Sequence, residues 1–152
     1  MRPLLLLLAA LAAVPASAER LTLDRIYGEA SLAGASVRNL RVSPDGERVT
    51  FLRPRADDQY RLDLWEYNTK SKATQRLVDS KKLVPLENLS LEEKARRERA
   101  RTASLSGIIN YSWAPSGKQI LVPIAGDLYL VDAANPDNAR KVASGNVGDP
   151  KI

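Results

Sequence analysis

The sequence predicts an all-β fold: a partial β-propeller of about two four-stranded blades plus the start of a third, with one inserted basic helix. One order of strands and turns occurs twice, and the turns that mark it are Ser43-Pro44-Asp45-Gly46 and Ala114-Pro115-Ser116-Gly117. Apolar and polar residues alternate in the segments between turns, which is the strand period. Repeated sheets of this kind bury their faces only against neighbouring sheets and are typical of propellers.

The N-terminus has the pattern of an export signal over residues 1–18. One positive charge at Arg2 precedes an apolar run, and Ala16-Ser17-Ala18 follows as a small-x-small cleavage site. A membrane anchor is the alternative, but a spanning helix needs about 20 apolar residues and this run is shorter. We expect cleavage after Ala18, which leaves residues 19–152 as the exported, periplasmic or secreted N-terminal part of a propeller domain.

The first copy of the repeat occupies about residues 37–80. Before it, Leu21 to Ile26 suit a strand or a short helix, and residues 31–36 suit a loop of small residues. Pro44 and Gly46 favour a tight turn, because proline presets one backbone angle and glycine accepts a positive φ. The four strands expected in this copy are Asn39–Val42, Glu47–Leu52, Leu62–Tyr67 and Ala73–Val78.

The second copy occupies about residues 107–145, and Gly148 to Ile152 resemble the beginning of a third. The strands expected in the second copy are Ile109–Trp113, Lys118–Ile124, Leu128–Asp132 and Ala139–Ala143. The strand positions of Trp65 and Trp113 favour core packing over stacking on a ligand. Two blades alone leave apolar sheet faces uncovered, since a propeller closes with about four to eight.

A basic helix is expected between the copies, within about residues 89–105. Ser90 and Glu93 have the spacing of a capping box, and helix-forming residues follow from Lys94 to Arg101. The basic run suggests either a nucleic-acid patch or a solvated helix on the propeller rim, with Glu93 and Arg97 paired. The export signal and the lack of interleaved aromatics favour the solvated helix, so no nucleic-acid partner is predicted.

Composition excludes several kinds of chemistry. The 152 residues contain neither cysteine nor histidine, with 23 Lys+Arg against 18 Asp+Glu. A Ser-His-Asp triad needs an imidazole as base, so none forms within this sequence. Asp127 and Asp132 are too few for calcium, which takes six to eight oxygens. We therefore predict no catalytic residue, no metal site and no cofactor.

The repeated turns, the export signal and the Glu-Glu-Lys-Ala-Arg-Arg helix resemble the N-terminal region of bacterial dipeptidyl peptidase IV, from about Leu21 to Ile152. The segments Leu62 to Tyr67 and Ser112 to Gly117 carry much of this resemblance. It implies an exported serine exopeptidase that removes dipeptides ending in proline or alanine from peptide N-termini. A C-terminal α/β-hydrolase domain, absent from this sequence, would hold the triad, and homodimers are compatible with the family.

The resemblance also implies three candidate substrate-binding residues. A glutamate pair on the propeller binds the substrate ammonium in this family, and Glu92 and Glu93 are an adjacent pair. The capping box is the alternative explanation, and we expect the true pair beyond Ile152. A propeller arginine holds a substrate carbonyl, and Arg55 lies at roughly the matching place; the alternative is an exposed loop arginine near Asp57.

Two functions remain open from the sequence. The first is the propeller portion of a dipeptidyl peptidase IV-like enzyme, inactive alone, which meets peptide substrate only in the full-length protein. The second is a non-enzymatic periplasmic scaffold that binds a protein partner, since fold alone does not fix function.

Overall fold

The computed structural model describes residues 21–28, 34, 36–145 and 147, and it divides the chain into the units Met1–Gly34 and Ala35–Ile152. The predicted signal peptide, most of the 31–36 loop and the start of the third copy lie outside the described residues. In the first unit, helix α1 spans Leu23–Tyr27, and the Thr22 hydroxyl caps it by accepting from the Arg25 amide at 3.2 Å. No helix in the described part of the chain is long and apolar enough to cross a membrane.

The second unit is built on two antiparallel sheets of consecutive strands. The first sheet contains β1 (Arg38–Val42), β2 (Arg48–Pro54), β3 (Arg61–Asn68) and β4 (Thr74–Val78) in that order, and the short β5 (Ser106–Gly107) pairs in parallel with β3. The second contains β6 (Ser112–Trp113), β7 (Gln119–Ile124), β8 (Asp127–Asp132) and β9 (Arg140–Ala143). Helices α2 (Ser80–Leu83) and α3 (Leu91–Arg99) lie between the sheets in sequence. The predicted all-β, partial-propeller fold with one inserted basic helix is confirmed.

The repeated turns form as the sequence predicts. Gly46 and Gly117 have φ values of +72° and +70°, which side-chain-bearing residues rarely adopt. The Ser43 hydroxyl donates to Asp45 at 2.5 Å and lowers the pKa of that carboxyl, with the Glu47 amide adding to the effect. A Cβ on Gly117 would lie 3.5 Å from Asp45, so the two turns are neighbours at one end of the sheets.

The core lies between the two sheets. The inner face of the first sheet contributes Leu52, Leu62 and Leu64, and β7 contributes Ile120 and Val122. All five side chains are at most 1% exposed. Each aliphatic residue buried in this way contributes about 1.5–3 kcal/mol of hydrophobic free energy, so this shared core holds the blades together.

A polar joint crosses this core at Thr50, which is 0% exposed. Its Oγ1 accepts a hydrogen bond from Trp113 Nε1 at 2.9 Å and donates to the Arg41 carbonyl at 3.2 Å. The Tyr111 hydroxyl lies 3.0 Å from the same oxygen and donates to the Asn39 carbonyl at 2.7 Å. Burial raises the pKa of Tyr111. The joint fixes the second sheet against strands of the first.

The opposite face of the first sheet is less covered. Val42 is 58% exposed, and Phe51 and Trp65, which pair across β2 and β3, are half-buried. The Arg53 guanidinium stacks 5.2 Å from the Trp65 ring centre. The predicted core role holds for Trp113, which packs against the core cluster, whereas Trp65 belongs to this outer face.

Candidate functional site

Arg55 lies just after β2 and is engaged by three carboxylates. Its Nη1 is 2.9 Å from Asp63 and 2.7 Å from Asp79, and its Nε is 3.0 Å from Asp57. The Arg55 side chain is only 11% exposed. The alternative of an exposed loop arginine is therefore wrong, because Asp63 and Asp79 hold the guanidinium in a mostly buried position.

Two of the carboxylates around Arg55, those of Asp57 and Asp79, are stabilised in their ionised forms. Burial lowers the pKa of Arg55, but Asp57, Asp63 and Asp79 outweigh it and raise that pKa above its ordinary value. Lys81, and then Arg55, lower the pKa of Asp57. Burial raises the pKa of Asp79, but the Lys81 amide and Arg55 together hold it below its ordinary value. This arrangement is a structural ion network.

The local fold explains why these residues meet. Asp63 accepts from the backbone amide of Ser80 at 2.9 Å, and Asp79 caps α2 by accepting from the Lys81 amide at 2.9 Å. Arg55 thus ties the β2–β3 loop to β3 and to the start of α2. Its role toward a substrate carbonyl stays a prediction.

Arg61 is a second buried arginine, and the sequence analysis did not find it. It is 6% exposed and donates from Nε to the Ser80 hydroxyl at 2.9 Å and from Nη2 to the Ser80 carbonyl at 3.1 Å. Nη2 also donates to the Val84 carbonyl. Arg61 therefore holds the segment that leaves the first sheet toward α3. Nothing in the strand pattern distinguishes it from a solvent-facing arginine.

Glu93 lies in the first turn of α3 and is 5% exposed. Its backbone amide donates to the Ser90 hydroxyl at 3.2 Å, as the capping box predicts. Its carboxylate is 3.0 Å from Arg97 Nε and also pairs with Arg96. Glu92 is exposed on the same turn. The two glutamates therefore differ in environment, and their role toward a substrate ammonium stays a prediction.

Arg97 is the centre of a buried charge cluster. The side chain is 2% exposed, and Nη1 donates to the Leu105 carbonyl at 2.8 Å. Nη2 lies 3.1 Å from Glu87 Oε2 and forms an ion pair with it, although the angle does not suit a hydrogen bond. Glu87 also accepts a hydrogen bond from the Gly107 amide. The expected Glu93–Arg97 pair exists, but the expectation of a solvated helix was wrong for this face of α3. Glu93 and Arg97 are the buried residues of the helix.

A cavity of about 270 Å³ lies between α3 and the second sheet. Its helix side is lined by charged and small residues, and its sheet side is mainly apolar. The lining residues are Glu93, Arg96, Arg97, Ala100, Thr102, Ile109, Asn110, Pro123, Ile124 and Ala125. The cavity combines an apolar wall with a few converging polar groups, as small-molecule sites do.

The structure gives Arg55 and Glu93 separate sets of partners. Arg55 belongs to the network with Asp63 and Asp79, and Glu93 to the cluster with Arg97. No group of three or more acidic residues suited to a metal ion occurs in the described part of the chain. The cluster of Glu93 and Arg97 contributes to the lining of the cavity, whereas Arg55 and its carboxylates do not.

No protein-family model matches the sequence. Among solved structures, the chain is similar to "The beta-propeller domain of the Trilobed protease from Pyrococcus furiosus", with 12% identity and a TM-score of 0.44. The match covers 70% of this chain and 29% of that chain, so this chain spans less than a third of its length. The fold described above rests on the strand pairing and not on this likeness.

Proposed function

We propose that the chain is the N-terminal propeller portion of an exported dipeptidyl peptidase IV-like serine exopeptidase. In this proposal the full-length protein releases N-terminal Xaa-Pro and Xaa-Ala dipeptides, and this portion shapes substrate entry without catalysing. The observation that carries the proposal is the stacking of two successive four-stranded meanders on one core, each with its Pro-x-Gly turn.

The chemistry of the sequence supports a non-catalytic role for this portion. The chain has no histidine, and a serine nucleophile needs a general base to take its proton. A hydrolase domain elsewhere in the full-length protein would supply that base. The partly exposed outer face of β2 and β3, with Phe51 and Trp65, is a surface that a further blade would cover.

The test compares this chain with the product of the full gene. Both are purified and assayed with Gly-Pro-p-nitroanilide, and the open reading frame is sequenced past the codon for Ile152. We expect turnover by the full product and none by this chain. A reading frame that stops there, with no hydrolase-encoding frame in the same locus, would count against the proposal.

The alternative is a non-enzymatic periplasmic scaffold that binds a protein partner. The specific observation in its favour is the exposure of Val42 on the outer face of the first sheet, because exposed apolar sheet surface suits a protein partner. This alternative predicts further blades and a stop codon, with no turnover by the full product. A purified full product that hydrolyses the dipeptide substrate excludes it.

A further inference from the structure

The two sheets are copies of one repeat, so each position on a face of the first sheet has a counterpart in the second. The two Pro-x-Gly turns fix the alignment of the copies. Val122 pairs with Tyr129 across β7 and β8, and Phe51 pairs with Trp65 at the same place across β2 and β3. The outer face of the first sheet is therefore the counterpart of the face by which the second sheet packs on the first.

The two counterpart faces differ in what covers them. Val122 and Tyr129 are 0% and 9% exposed, because they lie in the core between the sheets. Trp65 is only half-buried, and Val42, the counterpart of Trp113, is 58% exposed. Among the described residues, the face that one sheet buries in the second copy is left partly uncovered in the first.

The hydrogen bonding of Trp65 and Tyr129 differs in the same way. The Tyr129 hydroxyl donates to the Leu83 carbonyl at 3.2 Å, and Leu83 belongs to α2, the segment that follows the fourth strand of the first sheet. Trp65 Nε1 is buried and has no hydrogen-bond partner in the described part of the chain. A buried donor without an acceptor costs free energy. Trp65 thus lacks the neighbouring segment that its counterpart has.

A second copy of this chain does not suit the outer face. Placed face to face, two copies would bring two exposed Arg53 guanidinia, each 5.2 Å from a Trp65 ring centre, into one interface, and like charges oppose this. Placed head to tail, a second copy would offer the far side of its second sheet, where Leu121 and Leu128 are already buried at 4% and 9% exposed. A further sheet of the same repeat fits better than either arrangement.

We propose that a further four-stranded sheet of the full-length protein covers the outer face of the first sheet, in the relation that the first sheet has to the second. Its apolar face packs on Val42, Phe51 and Trp65, and the segment after its fourth strand lies against Trp65, as α2 lies against Tyr129. Such a sheet reaches this face by closure of a ring of blades. The inference rests on the proposed propeller portion of a longer protein, but not on peptidase activity.

The test uses single introduced cysteines, because this sequence contains none. Val42→Cys reports on the outer face, and Ser71→Cys, at an exposed position in the turn after β3, is the matched control. Alkylation by iodoacetamide is followed by mass spectrometry of tryptic peptides, in this chain and in the product of the full gene. We expect the two cysteines to react within about threefold of each other in this chain, and Val42→Cys alone to react at least about 100-fold more slowly in the full product.

A charge placed on the outer face gives an independent measurement. Val42→Lys should change the urea midpoint of this chain little, because the side chain is exposed there. It should lower the Tm of the full product by about 4 °C or more, because a covering sheet would bury the ammonium group. Ser71→Lys adds the same charge outside the face and should change neither value.

Equal reactivity of Val42→Cys in the two proteins would overturn the proposal, and so would a reading frame that ends at Ile152. Protection in this chain that grows with its concentration would also overturn it, because the occupant would then be a second copy. Hydrolysis of Gly-Pro-p-nitroanilide by a full product in which Val42→Cys stays reactive would leave the proposed function standing and contradict this inference. Protection without hydrolysis would support the inference and contradict the peptidase role.

Discussion

Removing the hydroxyl of Thr50 tests whether the polar joint fixes one sheet against the other. Thr50→Val keeps the shape and the β-branch of the side chain, which suits a strand. The variant deletes the oxygen that accepts from Trp113 Nε1 at 2.9 Å. It also deletes the donor to the Arg41 carbonyl, whereas the Tyr111 hydroxyl keeps the Asn39 carbonyl at 2.7 Å.

The expected cost follows from the groups left behind. Trp113 Nε1 loses its acceptor beside a residue that is 0% exposed, and one buried unsatisfied group costs about 1–3 kcal/mol. The added methyl group recovers part of that cost through apolar burial. We therefore expect the free energy of unfolding to fall by about 1–2 kcal/mol, or roughly 3–8 °C in Tm for a unit of this size.

The assay is urea unfolding followed by tryptophan fluorescence and far-ultraviolet circular dichroism. Thr50→Ser keeps the hydroxyl and is the matched control for the acceptor. A double-mutant cycle with Trp113→Phe isolates the hydrogen bond, and a coupling energy of about 1 kcal/mol is expected. A coupling near zero, with Thr50→Val as stable as the parent, would refute the assignment of this joint.

Three further changes test the other contacts. Gly107→Ala should lower the free energy of unfolding by at least about 2 kcal/mol, because φ is +75° and a Cβ would clash with the Leu62 carbonyl of β3. Gly117→Ala is the control: its Cβ would have no contact closer than 3.5 Å, so it should cost less stability in the same thermal melts. Arg97→Gln should cost about 3–5 kcal/mol by leaving buried carboxylates uncompensated, and should speed amide exchange in α3, whereas Arg99→Gln should not. Asp79→Asn should lower the free energy of unfolding at neutral pH. Because the pKa of Asp79 is lower in the folded state, its stabilising contribution is present above about pH 4 and is lost as the pH falls through the folded pKa. The urea midpoints of parent and variant should therefore converge in acid, and a difference that stays constant with pH would contradict this.

Patterns within short stretches of the sequence predicted most of the strands and turns. Alternation predicted β3 well because Leu62 and Leu64 face the core while Asp63, the residue between them, lies on the other face of the strand and pairs with Arg55. Gly46 and Gly117 predicted their turns because the required φ is positive. The helix α2 and the parallel pairing of β5 were missed. β5 depends on Gly107, whose close approach to Leu62 is a long-range contact that no local pattern encodes.

The candidate sites were harder to predict because their partners are distant in sequence. Arg55 and Asp57 are adjacent enough to suggest a surface pair, but the carboxylates that bury Arg55 come from β3 and from the start of α2. Glu87 meets Arg97 across a loop, and it was not singled out for the same reason. Spacing along a helix found the Glu93–Arg97 pair but carried no information about its burial.

In the inserted helix α3 the buried face carries charged residues while an apolar residue is exposed, which is the reverse of the usual arrangement. This explains why its packing was not predicted from the sequence. Leu91 is 81% exposed, while Glu93 and Arg97 are at most 5% exposed. Prediction from an amphipathic pattern assumes that the apolar residues of a helix face the core. A helix whose buried residues are charged does not show that pattern, so its packing cannot be predicted in this way. Buried ion pairs add little net stability compared with apolar packing, but they penalise every arrangement that separates the partners. We infer that the cluster of Glu87, Glu93 and Arg97 specifies where α3 sits, and so maintains the cavity beneath it.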